Sequence, residues 1–198
     1  ETFDHFKKTL NDAFSRNPQT IQVGLVKLLK GTALKKRVES GDMAAMPFPP
    51  YAVVRSRWLS PAEIVRIQDI GKMVEGIHNP GRFSLTLKVL VEKAFQGNPA
   101  RFFEALSEFW RTTSRPFFQF GPEAVSSGLN AFVQTLNVEL PIQKAVEAPT
   151  IHELRMQQKV PAGAAGPAPC GHVQGRPKKA VLKLVPGLKT FWYDLDIQ

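Results

Sequence analysis

The sequence predicts a mainly α-helical protein with a minor α/β part at its start. Four segments between residues 59 and 136 place apolar residues at helical spacing, and short connections containing Pro or Gly separate them. An apolar segment at residues 21–29 lies between Asn17-Pro18 and Gly31, which predicts a short buried strand. Helical patterns flank this strand, and a helix, a strand and a second helix in succession are typical of α/β folds.

The α/β part covers residues 1–41. Its first helix carries apolar residues three or four positions apart, namely Phe3, Phe6, Leu10 and Phe14. The strand is apolar along most of its length, as parallel strands covered on both faces are. Thr32 is a candidate N-cap for a short second helix that Gly41 ends. Because one strand cannot form a sheet, we expect this strand to lack a partner here and the chain to be a fragment of a longer protein.

Residues 42–58 form a predicted connecting strap of irregular structure, because three prolines within them disfavour helix. The strap also carries three aromatic residues. The favoured interpretation is a linker whose aromatic side chains fill gaps in the core. The alternative is a segment that lines a substrate opening, with Tyr51, Arg55 and Arg57 facing inwards.

Residues 59–158 form a predicted helical domain. The tetrapeptide Ser60-Pro61-Ala62-Glu63 has the pattern of a capping box with Pro at the first helical position. We expect this helix to end at His78, because Asn79-Pro80-Gly81 follows. The remaining helices are predicted at residues 82–96, from residue 99 onwards and from residue 122 onwards. Short connections between four helices are typical of a helical bundle.

The C-terminal part reads as a flexible linker at residues 159–178 and a β-hairpin at residues 179–198. The linker is rich in Pro, Ala and Gly, and it contains Cys170 and His172, which are too few ligands for a structural zinc site. In the hairpin, Pro186-Gly187 is the predicted turn between two apolar segments.

Composition excludes several classes of function. The single cysteine rules out an internal disulfide framework and an iron–sulfur cluster held by this chain alone. No apolar segment approaches the roughly 20 residues needed to cross a bilayer, and no signal-peptide pattern is present, so we expect a cytoplasmic protein without membrane contact. The net charge of +9 allows nucleic-acid binding, but the basic residues are scattered, so this partner is the less favoured one.

Two short segments resemble parts of the radical S-adenosylmethionine (radical SAM) barrel. Glu1-Thr2-Phe3-Asp4-His5-Phe6 resembles the continuation of the Gly-Leu-Pro-Gly-Glu-Thr turn after the fifth barrel strand, with Glu1 at the last position of the turn pattern. The segment Gln22-Val23-Gly24-Leu25, followed by Gly31-Thr32, resembles the sixth strand and its exit. The implied fold is therefore the end of a partial TIM-type barrel in front of the helical domain.

The following segments resemble the uncharacterised C-terminal domain, domain of unknown function 4080, of radical SAM proteins that carry an N-terminal cobalamin-binding domain. The matching segments are Pro49-Pro50-Tyr51-Ala52-Val53-Val54, Arg57-Trp58-Leu59-Ser60, Asn79-Pro80-Gly81-Arg82-Phe83 and Phe102-Phe103-Glu104-Ala105-Leu106-Ser107-Glu108-Phe109-Trp110. Their order and spacing, more than any one of them, make the resemblance specific.

The resemblance implies a parent enzyme with S-adenosylmethionine, a four-iron four-sulfur cluster and cobalamin. The cluster cysteines and the cobalamin site would lie upstream, so the barrel and cobalamin-binding domains of the same parent chain are the implied partners, and the substrate is unknown. This chain alone would not be catalytic. It would contribute cofactor contacts through Glu1, Gln22, Val23, Gly24 and Leu25, and its helical domain would cover the barrel mouth and select the substrate. The alternative is a non-enzymatic, basic helical module that binds a protein or RNA.

Four other polar side chains have two interpretations each. Arg82 follows the corner after His78 and either holds an anion or pairs with a residue such as Glu75. Glu104 and Glu108 lie one helical turn apart, which suits acid–base or metal chemistry, but the favoured interpretation is a solvated helix face. His78 is able to titrate, although the C-terminus of a helix is an ordinary position for histidine.

Overall fold

The computed structural model describes residues 1–29, 31–136, 146, 150, 152–153 and 179–184. In chain order the elements are α1 (Phe3–Ser15), β1 (Thr20–Leu25), α2 (Leu34–Glu39), β2 (Met43–Ala45), β3 (Val53–Ser56), α3 (Pro61–Met73), α4 (Ser84–Val89), α5 (Pro99–Thr112), α6 (Pro122–Thr135) and β4 (Lys179–Leu184). Single π-helical turns extend α3 through Val74–His78 and α4 through Leu90–Ala94. The predicted mainly helical class is confirmed, and the barrel assignment stays a prediction.

Helix α1 forms as its apolar spacing predicts. Thr2 caps it, because the Thr2 hydroxyl accepts a hydrogen bond from the backbone N–H of His5 at 3.3 Å. The buried side chains of the helix recur every three or four residues: Phe3, Phe6, Leu10 and Ala13. This face therefore belongs to the core, and the charged residues of α1 lie on the opposite side.

Strand β1 has a partner within the chain, so the expectation of an unpartnered strand was wrong. It pairs in parallel with β4, in a register that places Thr20 opposite Lys179 and Leu25 opposite Leu184. The parallel orientation predicted for β1 is therefore observed, although the partner follows far later in the sequence. β4 matches the first arm of the predicted C-terminal hairpin. The second arm and the linker with Cys170 lie outside the described residues.

The predicted irregular strap contains an antiparallel pair of strands, so that prediction was also wrong. Strands β2 and β3 pair with Met43 opposite Ser56 and with an irregularity at Ala44–Ala45. The prolines do not interrupt either strand, because they lie in the connection between them, where the Pro49–Pro50 peptide bond is cis. Two backbone hydrogen bonds hold this hairpin to the end of β1, one from the Val53 N–H to the Val26 carbonyl and one from the Leu28 N–H to the Tyr51 carbonyl.

Thr32 does not cap α2 as predicted. Its hydroxyl donates to the carbonyl of Leu29 at 2.8 Å, which closes a turn two residues before the helix begins at Leu34. Gly41 follows the helix with a φ of +81°, the left-handed conformation expected of a glycine that ends a helix.

Helix α3 begins with the predicted capping box. The Ser60 hydroxyl accepts from the Glu63 N–H at 3.3 Å, and the Glu63 carboxylate accepts from the Ser60 N–H at 2.8 Å. The predicted apolar stripe is buried, and it comprises Ile64, Ile67, Val74 and Ile77. The helix ends at His78, as the following Asn-Pro-Gly sequence predicts.

One core joins the α/β part to the helical domain. Buried side chains of α1, β1, the β2–β3 hairpin and α3–α6 form one continuous cluster. Close packing within it depends on glycine at Gly128, where a Cβ atom would lie 2.0 Å from the Trp110 indole. None of the described helices is long and apolar enough to cross a membrane.

Asn79 locks β1 onto the end of α3. Its Nδ2 donates to the Ile21 carbonyl, and its Oδ1 accepts from the Ile21 N–H, both at 2.9 Å. The side-chain amide thus does for Ile21 what a neighbouring strand does in a sheet, and it satisfies both backbone groups of a fully buried residue.

Glu153 performs a similar task at the start of α4, where no local side chain caps the helix. Its carboxylate accepts from the backbone N–H of Leu85 at 2.8 Å, from that of Thr86 at 3.2 Å and from the Thr86 hydroxyl at 2.7 Å. Because Glu153 is almost completely buried, these bonds fasten a distant segment of the chain to α4.

We predict that Asn79→Ala lowers the free energy of unfolding by about 1–3 kcal/mol, because it leaves the Ile21 N–H and carbonyl without partners. Amide hydrogen exchange at Ile21 should accelerate in the same variant. Gln68→Ala is the matched control, since it removes an exposed amide from α3 and should change stability by less than about 0.5 kcal/mol. Equal effects of the two substitutions would contradict this role of Asn79.

We predict that Glu153→Ala costs about 2–4 kcal/mol of stability, because three buried donors on α4 lose a charged acceptor. His152→Ala changes the exposed neighbouring side chain and serves as the control. Urea denaturation of both variants measures the difference. If they unfold at the same midpoint, Glu153 does not anchor this segment.

Candidate functional site

The described elements define two opposite ends of the molecule. Helices α1 and α3 lie side by side in the same direction, because the Arg66 guanidinium lies 4.4 Å from the Phe3 ring centre and the Phe14 ring lies 4.8 Å from the His78 ring. About 11 residues separate the two contacts along α1, a distance of about 17 Å.

Strand β1 runs in the opposite direction to α3. Ile21 contacts Asn79 at the end of the α3 helix, and Val23 packs on Gly71, where an added Cβ atom would lie 3.0 Å from the Val23 Cβ. Leu25 therefore lies towards the end that carries Glu1 and Arg66. We call this the strand-exit end, and we call the end with Ile21, His78 and Asn79 the strand-entry end.

Of the sequence-predicted cofactor residues, Glu1, Gly24 and Leu25 lie towards the strand-exit end, whereas Gln22 follows Ile21 directly and Val23 packs on Gly71. Gln22 is exposed, whereas Val23, Gly24 and Leu25 are half-buried. Among the described residues, a Cβ atom added to Gly24 would meet nothing within 4 Å, so this part of the chain leaves space beside the backbone there. Glu1 accepts a hydrogen bond from the Thr9 hydroxyl at 3.3 Å, and burial raises the pKa of its carboxyl group.

The β2–β3 hairpin contacts the chain just after β1, and the hairpin and the residues after it carry exposed side chains. Phe48 is 58% exposed, and Tyr51 and Trp58 are each 37% exposed. The interpretation that these aromatic residues fill gaps in the core of this chain is therefore wrong. Arg55 and Arg57, on and next to β3, are exposed as well. The alternative, in which the strap lines an opening, is the one that agrees with this exposure.

The two glutamates of α5 have different environments. Glu104 is half-buried and accepts from Arg66, and its carboxylate lies 3.8 Å from the Lys7 ammonium. Glu108 is exposed. They do not form a paired-carboxylate site, since Glu104 is held by two cations of neighbouring helices. Within the described part of the chain, no cluster of three potential metal-ligating side chains occurs.

Sequence reasoning missed Asp69, which is only 6% exposed. Its carboxylate accepts from Arg111 of α5 and lies 3.2 Å from the Lys72 ammonium on its own helix. Its position on the apolar side of α3 was the available signal, because a charged residue there needs a partner. Asp69 thus joins α3 to α5, and its role is structural.

A cleft of about 950 Å³ opens at the strand-entry end, between the end of α1, the turn at His78, the α4 helix and the start of α5. Its polar lining includes the side chains Asn11, Asp12, Asn17, His78, Glu92 and Asn98. Phe14 and Phe103 form an aromatic wall, with ring centres 5.4 Å apart. We call this region the strand-entry cleft. The sequence did not reveal it, because its residues come from four separate segments.

His78 has an unsatisfied ring nitrogen in the wall of this cleft. Its ring packs edge-on against Phe14, and its Nε2 is buried with no hydrogen-bond partner among the described residues. Burial lowers the pKa of His78, and a hydrogen bond to the Pro18 backbone opposes part of this shift. Burial therefore favours the neutral form of the imidazole.

Two asparagines of the cleft are oriented by the first turn of α5. The Asn11 Oδ1 accepts from the Ala100 N–H at 2.8 Å, and the Asn98 Oδ1 accepts from the Arg101 N–H at 3.0 Å. Both carbonyl oxygens are thus occupied, so each side chain has its NH₂ group left for other partners. The backbone N–H groups of Ala100 and Arg101 lack partners within the helix, and these two bonds satisfy them.

The family model described as "Protein of unknown function (DUF4080)" matches residues 41–147, which is more than half of the chain. The chain belongs to the DUF4080 family. Comparison with curated proteins and with solved structures found no match. The DUF4080 region contains the β2–β3 hairpin and helices α3–α6, whereas α1 and β1 precede it. Both the strand-exit end and the strand-entry cleft combine residues from inside and outside the DUF4080 region.

We predict that acidification destabilises the protein through His78. Its pKa is lower in the folded than in the unfolded state, where it is near 6.5. As the pH falls, the unfolded state therefore binds a proton before the folded state does. The contribution of His78 to the free energy of unfolding is fully present above about pH 7 and decreases as the pH falls through the unfolded pKa. One proton contributes at most about 1.4 kcal/mol per pH unit.

The measurement is denaturant unfolding at a series of pH values between 7.5 and 5, with the wild type and His78→Phe compared. The variant should lose less stability over this range. Parallel pH profiles would show that His78 does not titrate differently in the two states.

Proposed function

We propose that this chain is the C-terminal part of a cobalamin-dependent radical SAM enzyme, in which the DUF4080 domain covers the mouth of the barrel and helps to select the substrate. The observation that carries the proposal is the attachment of the β2–β3 hairpin to the end of β1. Ligands of parallel α/β folds bind beyond the carboxyl ends of the strands, and the hairpin is bonded to the chain there through Tyr51 and Val53.

The shared core supports the same arrangement. Phe3, Phe6 and Ile21, which precede the DUF4080 region, are buried in one cluster with the helices of that region. A domain built on a strand in this way is positioned to stay beside the strand exit while substrate binds. Its exposed aromatic and basic side chains, among them Tyr51, Arg55 and Arg57, are then available to the substrate.

The residues of this chain fit an adenine-binding role at one position in particular. The backbone of Gly24 has open space beside it, so the planar ring of S-adenosylmethionine is able to approach it closely. Peptide N–H and carbonyl groups recognise an adenine edge through hydrogen bonds. Gln22, Val23 and Leu25 would form the strand around this contact, and Glu1 would lie at the same end.

The chemistry itself would come from groups held upstream. An iron–sulfur cluster held there would supply the electron that cleaves S-adenosylmethionine, and cobalamin would be the second cofactor of the proposed parent. This chain's single cysteine is too few for the cluster. The contribution of the DUF4080 domain is to position the substrate and to exclude water from the radical site. We place the enzyme in the cytoplasm, where reducing conditions suit a cluster with open coordination.

The test is Gly24→Val in the full-length parent protein. A Cβ atom at this position would meet nothing within 4 Å among the described residues, and valine favours a strand, so the fold should persist. It would occupy the space proposed for the adenine, and we expect S-adenosylmethionine binding to weaken by at least about tenfold, or 1.4 kcal/mol. Thr20→Val at the strand-entry end is the matched control and should bind normally.

Calorimetric titration with S-adenosylmethionine measures the effect, and the absorbance of the reconstituted protein reports the cluster and cobalamin. Unchanged affinity in Gly24→Val would remove the adenine contact from β1. A full-length protein that binds neither cluster nor cobalamin, but binds RNA in a salt-dependent manner, would replace this proposal with the basic interaction module.

A further inference from the structure

The strand-entry cleft lies at the opposite end of β1 from the proposed S-adenosylmethionine contact, so an inference about it does not rest on radical chemistry. Its volume of about 950 Å³ is within the range of small-molecule sites. Its walls come from α1, the turn at His78, α4 and α5, all of which contribute to the core. The site therefore stands on ordered elements of the fold.

The cleft offers hydrogen-bond acceptors. A neutral imidazole has one nitrogen that donates and one that accepts, and the Nε2 of His78 is buried with no partner among the described residues. The Asp12 and Glu92 carboxylates add further acceptors along the cleft. A ligand that satisfies them must carry O–H or N–H groups.

The cleft also offers donors. The NH₂ groups of Asn11 and Asn98 remain after their oxygens have bonded to the first turn of α5. Lys88 lies on the same side of α4 and supplies an ammonium group. The ligand must therefore accept hydrogen bonds as well as donate them.

Charge argues against an anionic ligand. Asp12 and Glu92 outnumber Lys88, and burial favours the neutral form of His78, so the formal charge of the named side chains is negative. The start of α5, which would otherwise attract a phosphate, already has its Ala100 and Arg101 N–H groups bonded to asparagine oxygens. A phosphorylated or carboxylated molecule would meet repulsion without compensation.

The remaining wall is apolar. Phe14 and Phe103 stack with ring planes 18° apart, and Leu87 and Val91 extend this surface along α4. The ligand thus has C–H groups to bury on one side and hydroxyl groups to direct at the amides and carboxylates on the other.

We propose that the strand-entry cleft binds a small, uncharged, polyhydroxylated molecule of the monosaccharide class. Each sugar hydroxyl both donates and accepts, which matches the mixture of acceptors and donors in the cleft. The C–H face of the ring packs on Phe14 and Phe103. In the complex, one hydroxyl donates to His78 Nε2 and satisfies the only polar atom of the cleft found buried without a partner in the described residues.

The test uses the full chain and two probes, glucose and ribose, with binding followed by saturation-transfer NMR and by the ¹⁵N shift of the His78 imidazole. We expect one of them to bind with a dissociation constant in the millimolar range. His78→Phe keeps the ring packing against Phe14 and removes the acceptor, so affinity should fall about tenfold. His5→Phe, which changes an exposed histidine of α1, should leave affinity unchanged.

Asp12→Asn is the second variant, because Asp12 is exposed and its replacement does not threaten the fold. It should weaken sugar binding while the control stays normal, which keeps the proposal testable if His78→Phe fails to fold. Absence of binding by both sugars at about 50 mM overturns the proposal, as does equal affinity of the wild type, His78→Phe and Asp12→Asn. Binding of putrescine in place of the sugars would assign the cleft to organic cations and would also overturn it.

Discussion

The architecture depends on the need of one short strand to satisfy its backbone. Ile21 is the buried residue of β1, and the other residues of the strand are half-buried or exposed, so the predicted burial of the whole strand was wrong. Each buried peptide group without a partner would cost about 1–3 kcal/mol. The chain meets this need from several directions. β4 pairs along one edge of β1, and the Asn79 side-chain amide bonds to the backbone N–H and carbonyl of Ile21. The β2–β3 hairpin forms backbone hydrogen bonds with the chain just after the strand ends. The DUF4080 helices are thereby joined to the α/β part through polar contacts as well as through the core.

The fixed direction of β1 gives the molecule two ends with different chemistry. The strand-exit end is open, basic and aromatic, which suits a surface that faces another domain or a substrate. The strand-entry end is a cleft with a histidine, oriented amides and two carboxylates. Glu104 and Asp69 form ion pairs that join α5 to α3. Separate sites for a reaction and for a second ligand are therefore compatible with one rigid core.

Local signals predicted the helices well, because their causes lie within a few residues. The Ser60 and Glu63 capping box, the apolar stripe from Ile64 to Ile77 and the stop after His78 all require only neighbours in sequence. The prolines of the strap predict irregular structure along the whole segment, but they occupy only the connection between β2 and β3 and leave both strands free to pair. Strand pairing is non-local, and such short strands carry too few residues for an alternating pattern.

The sequence by itself determined the helical class, the position of β1, the capping box of α3 and the exclusion of a self-contained iron–sulfur site, since these follow from local spacing and from residue counts. The tertiary structure decided which elements meet. Asn79 acquired its role only by lying beside Ile21, Glu153 only by reaching α4, and His78 only by entering a wall built from four segments. Contacts between residues distant in sequence depend on the chain's packed conformation, and no local pattern of residue types encodes them.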